Sequence, residues 1–109
     1  MINYTTPTLY ATVKGIDLTV GYDVYVSLEQ DRVQLDKSGE DLTLETQGED
    51  TLISLKLSQT ESAAFNFGKR VFVQINAIDE NGNRLATGIK EVPVMRNLLD
   101  KEISYGDRV

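Results

Sequence analysis

Apolar and polar residues alternate with a period of two along much of this chain. Between positions 23 and 30, Val24, Val26 and Leu28 fall on one side and Tyr25, Ser27 and Glu29 on the other, which predicts a strand with one buried face. Positions 70–79 repeat the pattern, with Val71, Val73, Ile75 and Ala77 on one face and Phe72, Gln74, Asn76 and Ile78 on the other. At 51–57, Ile53, Leu55 and Leu57 turn inward while Ser54 and Lys56 turn outward. Shorter stretches at 8–13, at 32–37 around Val33 and Leu35, at 42–46 around Leu42 and Leu44, and a last one at 84–94 complete a set of about seven strands.

Polar, glycine-bearing turns separate these runs. Asn81-Gly82 predicts a type I′ hairpin turn, in which both central residues take positive φ, and so pairs 70–79 with 84–94 antiparallel. Turns at 38–41 and 47–50 hold both acidic clusters, Glu40-Asp41 and Glu49-Asp50. Gly88 predicts a bulge or bend at which the last strand changes partner, and Pro93, which lacks an amide donor, predicts an edge position. Ser58-Gln59-Thr60-Glu61 fits a capping box and predicts at most one short helical turn near 58–65. The plainer alternative is a crossing loop with Phe65 or Phe67 plugging the end of the core.

This arrangement predicts an all-β fold, a single small immunoglobulin-like β-sandwich of antiparallel strands over 1–96, without the Cys pair and Trp of antibody domains. Composition agrees, since 27 Val, Ile and Thr residues stand against 5 Ala. The 109 residues suffice for one domain, and no repeat or linker divides them. Residues 97–109 fit neither period and form a tail or arm. Its Leu98, Leu99 and Ile103 either cover the open end of the core or pack on a neighbouring subunit, unless the tail frays.

Residue types then narrow the chemistry. With no His and no Cys there is no imidazole base, no thiolate nucleophile, no zinc site of the N/S type and no disulfide. Seventeen Asp and Glu against eleven Lys and Arg, a net charge of −6, disfavour nucleic acid and anionic membrane as partners. The first ten residues lack the basic and apolar segments of a secretion signal, and apolar runs do not exceed three residues, so a soluble protein is expected. Asn3-Tyr4-Thr5 has the form of a glycosylation site, which carries no weight without such a signal. Phosphate-binding glycine loops are missing from the sequence. Asp79-x-Asn81-x-Asn83 opens like a calcium loop, but Arg84 replaces the required glycine and Lys90 the bidentate Glu. Paired carboxylates for glycoside hydrolysis have no cleft to flank, and acidic side chains in turns read as solvated surface. The expectation is a protein that is no enzyme and holds no cofactor or metal. Tyr10, Tyr25 and Phe72, if outward on neighbouring strands, form an aromatic platform for a subunit contact or a sugar.

Thr6-Pro7-Thr8-Leu9, the step Gly15-Ile16-Asp17-Leu18-Thr19 leading into Asp23-Val24-Tyr25-Val26-Ser27-Leu28-Glu29-Gln30, and Val73-Gln74-Ile75-Asn76-Ala77 resemble a group of small uncharacterised proteins of phages and prophages of Gram-positive bacteria. The resemblance runs from Thr6 to about Ile103 at the level of strand pattern. It implies a virion or assembly component and carries no catalytic residues. The expected function is a non-enzymatic head, connector or tail protein, in the virion or in the host bacterial cytoplasm during assembly. Its partners are copies of itself, as a homo-oligomer, or other virion proteins, met through the strand edge near Pro93 and the C-terminal arm. The alternative is a recognition module for a host-surface glycan or protein, using Tyr10, Tyr25 and the 79–83 hairpin. A regulator acting by acidic mimicry is a third reading.

Overall fold

The structure, a computed structural model, describes residues 1–106, so residues 107–109 of the expected arm lie outside the described residues. Its strands are β1 (Thr8–Val13), β2 (Tyr22–Gln30), β3 (Val33–Ser38), β4 (Leu42–Gln47), β5 (Asp50–Lys56), β6 (Arg70–Asp79), β7 (Arg84–Ala86) and β8 (Lys90–Pro93). One short helix, α1 (Gln59–Ala63), and a single 3-10 turn at Gly39–Asp41 complete the elements. Strands pair in the order β1-β5-β4 in one sheet and β3-β2-β6-β7 in the other, where β8 also pairs with β6. All these strand pairings are antiparallel. The chain crosses between sheets after β1, β3 and β5, which is the pairing order of an immunoglobulin sandwich without its first strand.

Alternation places the core as expected. Val24, Val26 and Leu28 of β2, Val71, Ile75 and Ala77 of β6, Ile53 and Leu55 of β5, and Leu57 just after it are all buried between the sheets. Phe65 closes one end at 1% exposure, whereas Phe67 stands at 55% with the Arg96 guanidinium 6.0 Å from its ring centroid. Of the two candidate plugs only Phe65 enters the core.

The region 84–94 is interrupted where Gly88 predicts a bulge or bend, but its pairing differs from the prediction. It breaks at Gly88 into β7 and β8, giving eight strands, yet both pieces stay on β6 and no change of partner occurs. The register slips by one residue across the break, since Asn76 faces Ala86 whereas Val73 faces Lys90. Thr87 bridges the gap: its N–H donates to the Ile75 carbonyl at 2.9 Å, and its hydroxyl accepts the Ile75 N–H at 3.1 Å. The slip matters because side chains face alternate sides, so it returns Val92 and Val94 to the inner face. The hairpin at 79–83 is also not of type I′. Only Gly82 has positive φ, 82°. The Asp79 carboxylate accepts the Asn81 and Asn83 N–H groups at 2.9 Å each, and its carbonyl accepts Gly82 N–H at 3.1 Å. These bonds build a three-residue loop, 80–82, that ends on the left-handed glycine.

Two polar devices hold connections onto the core. Thr51 is fully buried, accepts the Leu18 N–H at 2.8 Å and donates to the Ile16 carbonyl at 2.8 Å, so the β1–β2 loop can bury Leu18 without orphaned backbone groups. At α1 the predicted capping box forms: Glu61 N–H donates to Ser58 Oγ at 3.1 Å and Ser58 N–H to Glu61 Oε1 at 2.9 Å. The other Glu61 oxygen pairs with Lys37 of β3. Burial pushes the Glu61 carboxyl up, but the hydrogen bonds from Lys37 and Ser58 and the Lys37 charge outweigh it and hold the group below its ordinary 4.5. A depressed carboxyl stabilises the fold above the unfolded-state value, and that contribution disappears as pH falls through the folded-state value. Glu61→Gln is therefore expected to cost about 1–2 kcal/mol in urea unfolding at neutral pH. The gap between variant and parent should close below about pH 4; a gap constant with pH would contradict the assignment.

Candidate functional site

The two ends of the described chain meet at the α1 end of the sandwich. Met1 carbonyl accepts Met95 N–H at 2.7 Å and Met95 carbonyl accepts Asn3 N–H at 3.1 Å, making a parallel bridge between Ile2 and Met95. The N-terminal ammonium donates to the Pro93 carbonyl at 2.8 Å. Pro93 does lie on an edge, but that edge is covered by the chain's own first residues. The strand edge near Pro93 is thus not the free surface that the sequence suggested.

Side-chain amides fasten this end. Asn3, 5% exposed, donates through Nδ2 to the carbonyls of Ser62 at 3.1 Å and Phe65 at 2.6 Å. Gln30, buried at the end of β2, donates to the Asn66 carbonyl at 2.8 Å and accepts the Asn66 N–H at 2.6 Å. Together they hold Phe65 in the core. The same motif recurs on the surface: Gln59 of α1 accepts the Ile103 N–H at 2.9 Å and donates to the Ile103 carbonyl at 2.7 Å. Beside it, Thr60 donates to Glu102 at 2.6 Å, and Asn97 donates to the Asn3 carbonyl at 3.0 Å. Asp100 lies close enough to Tyr4 that its negative charge, with some burial and a hydrogen bond, raises the phenol above its ordinary value.

The tail is therefore held by polar groups, and its apolar side chains are left outside. Leu98 is 87% exposed, with Leu99 and Ile103 about half exposed and Tyr105 fully so. Ile2, Phe67 and Met95 at this end are exposed as well. Since Phe65 and Val94 already close the core, the tail does not serve as its cover.

A second surface lies on the outer face of the larger sheet. Tyr25, Ser27, Gln34, Asp36, Asn76 and Arg84 line a shallow groove of about 590 Å³. Its polar groups are paired with one another: Ser27 and Gln34 donate to Asp36 at 2.7 and 3.2 Å, and Arg84 donates to Asn76 at 3.0 Å. The hydrogen bond from Ser27, then that from Gln34, holds the Asp36 carboxyl below its usual range.

The predicted aromatic platform does not assemble. Tyr25 and Phe72 share this outer face, but Tyr25 faces Asn76 and Phe72 faces Glu29, four residues apart along the ladder. That is roughly 13 Å of strand. Tyr10 lies on β1, in the other sheet. Nor do the acidic turns gather into a cation site; Asp50 instead pairs with Lys14 at 3.2 Å and accepts the Gly15 N–H at 2.9 Å. Among the described residues no group of three or more carboxylates converges. Sequence reasoning missed the clamping role of Gln59, Gln30 and Asn3, which organise the α1 end; Asn3 stood out only as part of a glycosylation pattern.

The chain matches no known family model, no curated protein and no solved structure.

Replacing Gln59 by Ala removes both bonds to Ile103. Hydrogen exchange at the Ile103 amide should become fast, while global stability falls by no more than about 1–2 kcal/mol, because the clamp is solvent-exposed. Retained protection at Ile103 would show that something other than Gln59 holds the tail.

Proposed function

We propose that this chain is a non-enzymatic structural protein of a phage or prophage particle, a head, connector or tail component that docks on a neighbouring subunit. The observation carrying this reading is the tail, tied to α1 through polar groups while Leu98, Leu99, Ile103 and Tyr105 face outward beside Ile2, Phe67 and Met95. Exposed apolar groups clustered at one end of a small domain are the usual material of a subunit contact. A segment of fixed backbone also loses less conformational entropy on docking than a free one. The strand-pattern resemblance to small phage proteins supports the same reading. In it the partners are further copies of the chain or other virion proteins, and the location is the particle or the bacterial cytoplasm during assembly.

Recognition of a host-surface glycan or protein is the second reading, supported by the groove around Tyr25, where prearranged Ser27, Asp36, Asn76 and Arg84 offer hydrogen bonds beside an aromatic ring. Tyr10 has no part in it, being on the other sheet.

Mass spectrometry of particles purified from an induced host separates the two. The structural reading expects the chain at stoichiometric copy number in particles, with incorporation lost when Leu98, Leu99 and Ile103 are all changed to Ser and kept in Tyr25→Ala. Absence from particles, together with saturable binding to an envelope or glycan array that Tyr25→Ala abolishes, would transfer the assignment to recognition.

A further inference from the structure

The edge of β1 differs from every other edge in the molecule. The Leu57 N–H donates to the Pro7 carbonyl at 2.9 Å, which makes Pro7 and Leu57 a hydrogen-bonded pair and sets the parity of the ladder between β1 and β5. Leu9, Ala11 and Val13 therefore direct their backbone groups at β5, and Thr8, Tyr10 and Thr12 direct theirs away from it. Among the described residues no group accepts or donates to these three N–H and three C=O groups. An unpaired row of this kind is a template for a further strand.

Edges are ordinarily protected by charge, proline or cover. β3 carries Asp36 and Lys37, β4 carries Glu45, β7 carries Arg84, and β8 carries Lys90, Glu91 and Pro93. β1, Thr-Leu-Tyr-Ala-Thr-Val, has none of these, and its Tyr10 is 69% exposed. Alongside it the sandwich is open. A slot of about 340 Å³ runs between the β1 and β8 edges, walled by Leu9, Ala11, Ile53, Val73, Ile75 and Val92.

The geometry points to a second copy of this chain as the occupant, with β1 pairing antiparallel to β1 of its partner about a two-fold axis at Tyr10. The strand is self-complementary in that register. Tyr10 meets its own counterpart, Thr8 meets Thr12 and Thr12 meets Thr8, and all six free backbone groups of each copy find partners. Cross-strand aromatic and threonine pairs are favourable neighbours. Two copies with a net charge of −6 each repel, and a neutral edge is where that repulsion is least opposed to contact. The second β1 also lies along the mouth of the slot and shields its apolar walls from water. This surface is separate from the tail, so the inference holds or fails independently of the virion reading.

Charge exchange at the two-fold tests it. In sedimentation velocity at about 0.5 mM, within reach of a weak interface, the parent should run as a dimer of about twice 12.2 kDa, and more completely at about 0.5 M salt than at low salt. Tyr10→Lys and Tyr10→Glu should each be monomeric, because like charges then face each other at the axis, while their equimolar mixture should recover the dimer. Changing Leu98, Leu99 and Ile103 together to Ser should leave the dimer intact. A parent that stays monomeric, a Tyr10→Lys protein that dimerises like the parent, or a mixture that fails to recover would each overturn the pairing. A dimer abolished only by the tail substitutions would overturn it while leaving the virion reading standing.

Discussion

The antiparallel pairing of β2 with β6 is the constraint on which the rest of the structure depends. It runs through eight residue pairs, from Tyr22 opposite Asp79 to Glu29 opposite Phe72. The two strands supply six of the fourteen buried apolar residues among the described residues. Every other strand of the larger sheet is attached to one of them: β3 to β2, and both β7 and β8 to β6. A slip of one residue would turn Val24, Val26 and Leu28 to solvent together, at about 1.5–3 kcal/mol for each side chain lost from the core. With no disulfide available, this register does the work that covalent staples do in other small sandwiches.

Where strand pairing ends, side-chain amides take over. A glutamine amide presents one donor and one acceptor in nearly the arrangement of a peptide group, so it can meet a backbone N–H and C=O together. Gln30 uses this at Asn66 in the interior and Gln59 at Ile103 on the surface. Asn3 spends both amide hydrogens on carbonyls at the end of α1. The consequence for the surface is a division of labour. The α1 end displays apolar side chains on polar supports, the large sheet displays a polar groove, and β1 displays bare backbone.

Much of this was legible in the alternation itself. Positions 23–30 and 70–79 announced β2 and β6, because a half-buried strand leaves a two-residue signature that depends on nothing distant. The capping box at Ser58 and Glu61 was equally local, and so was the edge placement of Pro93, which follows from its missing donor. What failed depended on three-dimensional assignment. Alternation shows that Tyr10 and Tyr25 face outward, yet not that β1 and β2 belong to different sheets, so the expected aromatic platform dissolved. Gly88 marked the interruption of the last strand, but the sequence does not show that both halves stay on β6, because β7 and β8 each alternate correctly on their own. A glutamine in the first turn of a helix looks the same whether its amide faces water or grips a tail, which is why Gln59 passed unnoticed. Phe65 and Phe67 were indistinguishable until Asn3 and Gln30 fixed the loop between them.

The two glutamine clamps also differ in how long they hold. Gln30 is enclosed, and opening it would strand a polar amide and the Asn66 backbone away from water. Gln59 is open to solvent, and together with the bond from Thr60 to Glu102 it secures the Glu102–Ile103 stretch of the tail by three exposed hydrogen bonds. At about 0.5–1.5 kcal/mol each, they amount to roughly 2–4 kcal/mol, so something like one molecule in thirty to one in a thousand has this stretch lifted from α1 at any instant. A binding partner does not have to unfold anything to reach the underside of this segment; it needs only to capture a form that thermal motion already supplies.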